Sequence, residues 1–296
     1  MKKSIAILST FFLFFSCGSG EDYYSYLSDP ETATETAKMK FVVSADQSVF
    51  DYTVQAKEMV IDWGDGSDFS EYIFFDNINQ SDSIKTLSRT YSSQGTYDIT
   101  VKAMQLRGLL LSRTGDNYLN EISLTGCRHL RKLYCDNQRI QEIDISECPE
   151  LRVLSCGYPE GELSLTGVST PKKLGELYIN GPLESVNLEL ADSDSLRIIQ
   201  LIKTNLPDIQ LSGLGELEAI QINSCSDLAN IYIGGNWLLS DIVLTDNTSL
   251  DAGALNDLFE DLPSVDNDNR YITLSGNKGD DTCNRNIAVS KGWSFR

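Results

Sequence analysis

Histidine is almost absent from this chain of 296 residues, with His129 as the one example. A metal centre made of several histidines is therefore excluded, and a histidine-based catalytic triad would have to use this residue. His129 lies two residues after Cys127, but no further catalytic group converges on the pair in the sequence, so we expect no catalytic role. Cys-x-x-Cys pairs are also absent, and we expect neither a zinc site nor a cofactor.

Basic residues are scarce as well. The chain has 24 Lys and Arg against 43 Asp and Glu, which gives a formal net charge of −19. A protein that binds nucleic acid needs a basic surface to displace counterions from phosphates, so the composition argues against that class. Hydrophobic residues make up 41% of the chain and charged residues 23%, which is typical of a globular protein.

Apolar runs long enough to cross a membrane are lacking. Residues 5–15 are mostly apolar and follow Lys2 and Lys3, whereas a spanning helix needs about 20 apolar residues. A basic start with a short apolar core is typical of a secretory signal peptide. Residues 13–17, which end at Cys17, resemble the lipobox of bacterial lipoproteins. The resemblance implies a signal peptide over residues 1–16 and a lipid on Cys17; a plain signal peptide cut elsewhere, or an N-terminal anchor helix, is the alternative.

Residues 17–37 are rich in Ser, Thr, Gly and Glu, a composition that predicts a flexible tether. The early acids Glu21 and Asp22 resemble the surface-export signal of some Gram-negative lipoproteins. This implies an outer-membrane lipoprotein that faces the cell exterior and touches the membrane only through its lipid. The sequence leaves a periplasmic location open.

Residues 38–105 alternate as β-strands do, with β-branched and aromatic residues over 39–43, 50–54 and 59–63. The turn Trp63-Gly64-Asp65-Gly66 and the later hairpin over 91–101 resemble the signature of the PKD-type immunoglobulin-like sandwich, although Arg89 stands where that family often has histidine. The resemblance implies a small β-sandwich over 38–105.

Within this sandwich we expect Trp63 and Tyr97 to fill the space between the two sheets. Asp62, Asp65 and Asp68 could chelate calcium, because hard carboxylate oxygens suit that ion. The favoured alternative is that Asp65 caps its own turn by accepting hydrogen bonds from backbone amides.

An internal repeat occupies much of the remaining chain. The pattern Leu-x-x-(Leu or Ile)-x-apolar occurs six times, with its fourth position at 133, 154, 177, 199, 220 and 242, so the steps are 21, 23, 22, 21 and 22. A second apolar pair recurs midway with the same period, which leaves no room for a helix in each unit. The repeat resembles the short leucine-rich repeats of internalin-like bacterial surface proteins and predicts a solenoid over 118–250.

After the repeats, residues 252–262 have the spacing of an amphipathic helix, and residues 271–277 repeat the strand pattern once more. We expect residues 251–296 to form a C-terminal cap over the last apolar turn, because a solenoid needs a terminal cover. The junction over 109–119 is expected to cover the first turn. The predicted fold class is mainly β, a small sandwich followed by a leucine-rich repeat solenoid with a capping helix.

The cysteines follow the same repeat. Cys135 and Cys156 are 21 residues apart, and so are Cys127 and Cys148. Neighbouring strands lie about 4.8 Å apart, a distance that permits a disulfide. The favoured alternative is free thiols in the core, because these cysteines occupy positions that Ile or Leu fill in other turns.

The predicted function is non-catalytic binding or adhesion at the cell surface by a monomer, with a protein or glycan ligand. A carbohydrate-active enzyme, or an accessory component of a polysaccharide-utilisation system, is the alternative, since PKD-like modules accompany such enzymes.

The turn Gly234-Gly235-Asn236 lacks the residues that complete a phosphate loop.

Period-two alternation points the residue between the fourth and sixth repeat positions outward, and polar neighbours flank it. Ser155, Ile202 and Val243 belong to the same outward set. The candidate ligand-binding residues are Tyr134, Asp136, Tyr178, Asn180, Gln200, Gln221 and Asn223.

The substitution Cys17→Ala tests the lipid anchor. It removes the sulfur that would carry the acyl chains, so we expect the protein to move from the membrane fraction to the soluble fraction on cell fractionation. Retention of this variant in the membrane fraction would contradict the anchor.

Overall fold

The computed structural model describes residues 35–73, 84–111, 115–168, 171–184, 188, 190, 193–264 and 269–296. The predicted signal peptide, Cys17 and most of the predicted tether lie outside these residues.

The first eight strands form two facing layers. One sheet has the order β4-β3-β6-β1-β8, and β5, β2 and β7 are neighbours in the other layer. The strands are β1 (Glu35–Val43), β2 (Ser48–Gln55), β3 (Glu58–Asp62), β4 (Ser70–Ile73), β5 (Ile84–Tyr91), β6 (Gly95–Met104), β7 (Gly108–Leu111) and β8 (Tyr118–Thr125).

Large aromatic side chains fill the space between these layers. Trp63 is 2% exposed, and its ring centre lies 5.9 Å from that of Tyr52. Tyr91 is also buried and donates a hydrogen bond of 3.0 Å to the backbone carbonyl of Trp63. Tyr97 is only half-buried and packs against Tyr91 with a ring separation of 4.2 Å. Both aromatic residues singled out in the sequence therefore contact the core, Trp63 from inside and Tyr97 from its rim.

Strand β1 begins earlier than the sequence indicates. Residues 35–37 were expected to belong to the tether, yet they pair with β6 and β8. Ala37 is fully buried in the core, and Glu35 is 2% exposed. The Glu35 carboxylate accepts hydrogen bonds from the backbone amides of Leu106 and His129, which compensates for its burial.

The repeats form a solenoid whose main sheet is a ladder of short parallel strands. The fourth repeat positions lie in register on neighbouring strands and are buried, so the predicted repeat is confirmed at these positions. The strands of this ladder are β9 (Lys132–Tyr134), β11 (Val153–Cys156), β13 (Glu176–Asn180), β14 (Ile198–Ile202), β16 (Ala219–Asn223), β18 (Asp241–Thr245), β19 (Tyr271–Ser275) and β20 (Ser294–Phe295).

Shorter extended segments lie on the second side of the coil. In place of a continuous sheet, the described residues show two separate parallel pairs, β10 with β12 and β15 with β17. One of the predicted midway apolar pairs is Val186 with Leu188, and Val186 lies outside the described residues. The bounds are β10 (Glu142–Asp144), β12 (Ser164–Thr166), β15 (Asp208–Gln210) and β17 (Asn230–Tyr232).

The main sheet does not stop where the repeats begin. Strand β7 pairs antiparallel with β2 and parallel with β9, so one sheet of 11 strands continues from the sandwich into the solenoid. On the other side, β8 pairs with β1 and also contacts β10. Both strands include residues of the predicted junction, which therefore belongs to the sandwich and to the first turn of the coil at once.

A left-handed residue ends most strands of the ladder. Asn137, Lys203, Ser224 and Asp246 have φ between 56° and 59°, each four positions after a buried fourth repeat residue. Gly181 holds the same place with φ of 125°, and a Cβ there would lie 2.2 Å from the carbonyl oxygen of Tyr158. The reversal keeps the strands short and turns the chain toward the second side.

The chain after the repeats contains the helix α1 (Ala252–Asp261), the helix α2 (Asn286–Ser290) and the last two strands of the ladder. Asp251 caps α1 by accepting hydrogen bonds from the amides of Gly253 and Ala254. Leu255, Leu258 and Phe259 are buried on one face, as the spacing predicts, and the helix contacts β17 and α2. Its role as the terminal cover stays a prediction.

The substitution Leu177→Asp tests the register of the ladder. Leu177 is fully buried between Leu154 and Ile199, so an aspartate there should cost about 4 kcal/mol or more of unfolding free energy, measured by chemical denaturation. Gln200→Asp, at an outward position of the next strand, is the control and should change stability by less than about 1 kcal/mol. Equal effects of the two variants would contradict the register.

Candidate functional site

The outward side chains of the ladder form straight rows across the sheet. In the central row, Tyr134, Ser155, Tyr178, Gln200, Gln221 and Val243 occupy matching positions on six neighbouring strands. All except Ser155 are partly exposed. Ser155 is 7% exposed, because its small side chain lies between two tyrosine-bearing strands. The structure therefore brings together four of the predicted site residues in one row.

Acidic neighbours hold the two tyrosines of this row in a polar environment. The Tyr178 hydroxyl donates a hydrogen bond of 2.9 Å to Glu176 Oε2. Partial burial, with the hydrogen bond to Glu176, raises the pKa of Tyr178 to about 12. Burial and the charges of Glu176 and Asp136 raise the pKa of Tyr134 as well. Both side chains keep their protons near neutral pH; the Tyr178 hydroxyl donates its proton to Glu176 and can accept a hydrogen bond from a ligand.

Asp136 lies at the end of β9, beside the row. Its carboxylate accepts a hydrogen bond from the Ser155 hydroxyl of the next strand. Burial raises the pKa of Asp136 from its ordinary value. The side chain thus joins two turns of the coil and remains partly exposed at the border of the face.

A second outward row contains the two predicted asparagines. Asn180, Ile202, Asn223 and Thr245 are in register on four neighbouring strands and are partly exposed. The Thr245 hydroxyl donates a hydrogen bond of 2.8 Å to the Asn223 amide oxygen, which fixes that side chain. The side chains of this second row lie two residues further along each strand than those of the central row, so they are on the same face of the sheet.

A third outward row was missed in the sequence. It lies two residues before the central row and follows from one more step of the same alternation. The central row is also longer than predicted, since Leu110 and Thr273 extend it at its two ends. The third row consists of Lys132, Val153, Glu176, Ile198, Ala219, Asp241 and Tyr271.

The pair His129 and Cys127 does not form a nucleophilic site. The His129 ring nitrogen Nδ1 lies 3.0 Å from Glu35 Oε1, so it is directed to the start of β1. Burial raises the pKa of the Cys127 thiol far above its ordinary value, which disfavours the thiolate. Its sulfur contacts the backbone carbonyl of Thr36.

The acidic turn of the sandwich is satisfied by groups of the protein itself. Asp62 and Asp65 accept hydrogen bonds of 2.9 and 3.1 Å from the amides of Gly64 and Ser67. Arg89 donates to Asp65, and this cation fills the space beside the carboxylate. In the part of the chain that the structure describes, no group of three His, Cys, Asp or Glu side chains could hold a metal ion.

A groove of about 1100 Å³ lies where the first sandwich sheet meets the second side of the coil. Its walls carry charges of both signs, including Lys40 and Glu121, which form an ion pair across β1 and β8. Arg139 also lines it, with its guanidinium 4.3 Å from the ring centre of Tyr118. The groove is a second place where a polar ligand could bind.

The repeat cysteines are unbridged thiols in the core. Cys127, Cys135, Cys148, Cys156 and Cys225 are buried, and each is 0 or 1% exposed. Burial raises the pKa of Cys148 to about 12 and shifts the others in the same direction. The neutral thiols act as small apolar side chains between turns.

Comparisons with known proteins give a structural likeness to a solved repeat protein. No protein-family model and no curated protein matches the chain. Among solved structures, the functional domain of InlJ from Listeria monocytogenes, described as including a cysteine ladder, aligns with a TM-score of 0.35 and 18% sequence identity. The alignment covers 69% of this chain and 51% of that domain, so the chain spans about half of its length. Within the described residues, no helix is both long and apolar enough to cross a membrane.

The state of the five buried cysteines can be measured in a Cys17→Ala/Cys283→Ala background, which leaves only them. An ordinary thiol with a pKa near 9.0 reacts faster as the pH rises from 7 to 9, whereas Cys148, with a pKa of about 12, stays protonated over this range. We expect no rapid reaction with Ellman's reagent in the native state and reaction of all five thiols in denaturant. Fewer than five reactive thiols in the denatured, unreduced protein would show that disulfides form.

Proposed function

We propose that this protein is a non-catalytic binding or adhesion lipoprotein of the cell surface, and that its ligand lies on the outward face of the repeat sheet. The observation that carries the proposal is the central row, in which two tyrosines and two glutamines occupy matching positions on neighbouring strands. Tyrosine supplies both a flat apolar ring and a hydroxyl, which is why it is frequent at interfaces.

The size and rigidity of the face support binding. Six strands at a spacing of about 4.8 Å extend the row from Tyr134 to Val243 over about 24 Å, enough for several sugar units or an edge of a protein. Because backbone hydrogen bonds hold every strand to its neighbours, the side chains are positioned before a ligand arrives, and little order is lost on binding.

The chemistry of the face suits a polar ligand. Amide groups of Gln200, Gln221 and Asn180 can both donate and accept hydrogen bonds, and Ile202 and Val243 offer apolar contacts beside them. The ligand is therefore a glycan or a protein surface with mixed polarity. A catalytic centre would need a nucleophile or a general acid and base pair at a deep site, and the proposed face offers shallow rows instead.

We also infer how the protein holds this face in reach of a ligand. A lipid on Cys17 and a tether hold the protein at the outer membrane, facing the exterior. The N-terminal sandwich is a PKD-like spacer over residues 38–105, and residues 251–296 cover the end of a monomeric, internalin-like solenoid. The high acidic charge keeps the protein away from anionic lipid headgroups, which suits presentation on a tether.

A double substitution, Tyr134→Ala with Tyr178→Ala, tests the face. Ligands are first collected by pull-down with the whole protein from extracellular protein and glycan extracts, and affinity is then measured with each variant. We expect loss of both rings to weaken binding by about 2 kcal/mol or more, roughly thirtyfold, while the melting temperature stays unchanged.

Tyr232→Ala is the matched control. Tyr232 is 39% exposed on β17, on the second side of the coil, so its removal should leave affinity unchanged. Undiminished binding by the double variant would show that the ligand binds elsewhere, either in the groove beside the sandwich or on the second side of the coil.

A further inference from the structure

The groove between the sandwich and the coil contains an irregularity of strand β8. Lys40 of β1 pairs with Glu121, but the next residue, Phe41, pairs with Leu119. Asn120 is therefore an extra residue without a partner on β1, which is the arrangement of a β-bulge. A bulge changes the direction of the side chains around it, and Asn120 lines the groove.

The side-chain amide of Asn120 has a buried oxygen without a hydrogen-bond donor. This atom, Oδ1, accepts no hydrogen bond from the residues that the structure describes. A buried polar atom of this kind destabilises the folded protein, because water no longer solvates it. The side chain as a whole is partly exposed, so rotation of the amide can turn the oxygen toward the groove. A ligand that donates a hydrogen bond there would satisfy the atom.

Polar side chains make up most of the exposed surface of the groove. Apart from Tyr118, its apolar residues are at most 9% exposed and belong to the core; they are Met39, Ile99, Ile122 and Leu124. A ligand in the groove therefore meets hydroxyl, amide and charged groups. The uncharged polar residues include Thr100, Asn120, Ser123, Thr125 and Gln141.

One aromatic ring lies close to the bulge. Tyr118 is partly exposed, and the guanidinium of Arg139 is 4.3 Å from the centre of its ring. The backbone amide of Arg139 donates a hydrogen bond of 2.9 Å to the carbonyl of Leu119, which attaches the first turn of the coil to β8 at this point. The ring offers an apolar surface on which the C–H groups of a sugar can pack.

Charges of both signs lie close together in the groove. In one row across the sandwich sheet, Asp98 and Glu121 flank Lys40, and Lys40 forms an ion pair with Glu121. Glu142 and Arg139 add charges of both signs on the side of the coil. A strongly charged ligand of either sign would meet groups of its own sign at contact distance. A neutral ligand with many donors and acceptors matches this surface better.

We propose that the groove is a second ligand site and that it binds a neutral oligosaccharide. Sugar hydroxyls both donate and accept hydrogen bonds, so one can donate to the Asn120 oxygen while others accept from Lys38 and Arg139. The volume of about 1100 Å³ exceeds that of most small-molecule sites, about 300 to 1000 Å³, and suits several linked sugars. A peptide fits less well, because bound peptides usually place side chains in apolar pockets, and the apolar side chains here are buried.

The experiment measures the binding of defined oligosaccharides to the whole protein. The neutral probes are maltohexaose, cellohexaose, laminarihexaose and mannohexaose. A heparin hexasaccharide and a mixed hexapeptide library represent charged glycans and peptides. Binding is detected by saturation-transfer NMR and its affinity is measured by calorimetry. We expect at least one neutral hexasaccharide to bind, and to bind more tightly than the charged probe and the peptides.

The first test variant is Asn120→Leu. Leucine is similar in size but removes the amide whose oxygen has no donor, so we expect the melting temperature to be unchanged or higher, while affinity for the oligosaccharide falls at least about tenfold. Asn230→Leu is the matched control. Asn230 is also partly exposed on a strand, β17, and its amide donates a hydrogen bond of 2.6 Å to Asp208 Oδ1. Its replacement should leave the affinity unchanged.

A second variant, Ser123→Phe, fills the groove and keeps the amide. Ser123 is exposed on β8 and pairs with Lys38 of β1, so a ring at this position should exclude the ligand and lower the affinity at least about tenfold. Ser88→Phe, at an exposed position of β5 in the other layer, is its control and should bind as the wild type does.

Three results would overturn the inference: no binding of any neutral probe at millimolar concentration, tighter binding of the heparin fragment or of peptides, or unchanged affinity in both groove variants. The inference is independent of the proposed function, since the groove shares no residue with the outward face. The Tyr134→Ala/Tyr178→Ala variant should therefore bind the oligosaccharide normally. If only this variant lost affinity, the oligosaccharide would be a ligand of the outward face and the groove inference would be wrong.

Discussion

Backbone hydrogen bonds between successive turns are the constraint on which the whole repeat region depends. Each turn must bring the chain back to the edge of the main sheet, so that the next strand can pair in register with the last one. Amide-to-carbonyl hydrogen bonds of 2.8 to 2.9 Å hold successive turns together at this point; they run from Arg107 through Arg131, Arg152, Gly175, Arg197 and Glu218 to Ser240. A turn of 21 to 23 residues is the length that meets the condition here. Residues with a left-handed backbone conformation, such as Asn137 and Asp246, end the strands after a few residues.

One consequence of the ladder is a buried column of side chains at each corner, where cysteine and asparagine occupy the same position in different turns. Cys127 and Cys148 fill one such column in the early turns, where a later turn has Asn236, and Cys225 lies in a separate column next to Asn247. Asn247 instead donates a hydrogen bond of 2.9 Å to the carbonyl of Ile222, and its own oxygen accepts from the amide of Cys225 at 3.0 Å. The column therefore accepts either a small apolar group or an amide that satisfies backbone groups at the corner.

Local periodicity is the part of this fold that a sequence displays well. The spacing of Leu133, Leu154 and Leu177 predicts the inward positions, and the same alternation predicts the outward tyrosines and glutamines. Pairing between distant segments is different, because nothing near β7 in the sequence indicates that it joins β2 to β9. The buried Glu35 was also unexpected, since its partners, the amides of Leu106 and His129, are about 70 and 94 residues away.

Outward side chains were predictable in direction but not in environment. Ser155 alternates correctly yet is buried, since exposure depends on the size of the residues on adjacent strands, which alternation does not measure. Asp136 was expected to be available to a ligand, and the structure pairs it with Ser155 of the next turn. Both cases concern contacts between turns, so they can be anticipated only once the register is known.

The register of the strands also limits what the net charge of the chain predicts about its binding partners. An overall charge of −19 describes the mean field of the chain, which opposes a polyanion at long range. At contact distance the local arrangement dominates, because charges more than about 8 Å apart are screened at physiological salt. A ladder that stacks one residue per turn converts a periodic sequence into columns, and a column can have the opposite sign to the chain. Arg107, Arg131 and Arg152 are spread over 46 positions in the sequence but lie on three adjacent strand entrances. A repeat protein can therefore be acidic as a whole and still bring several of its basic residues together on neighbouring turns.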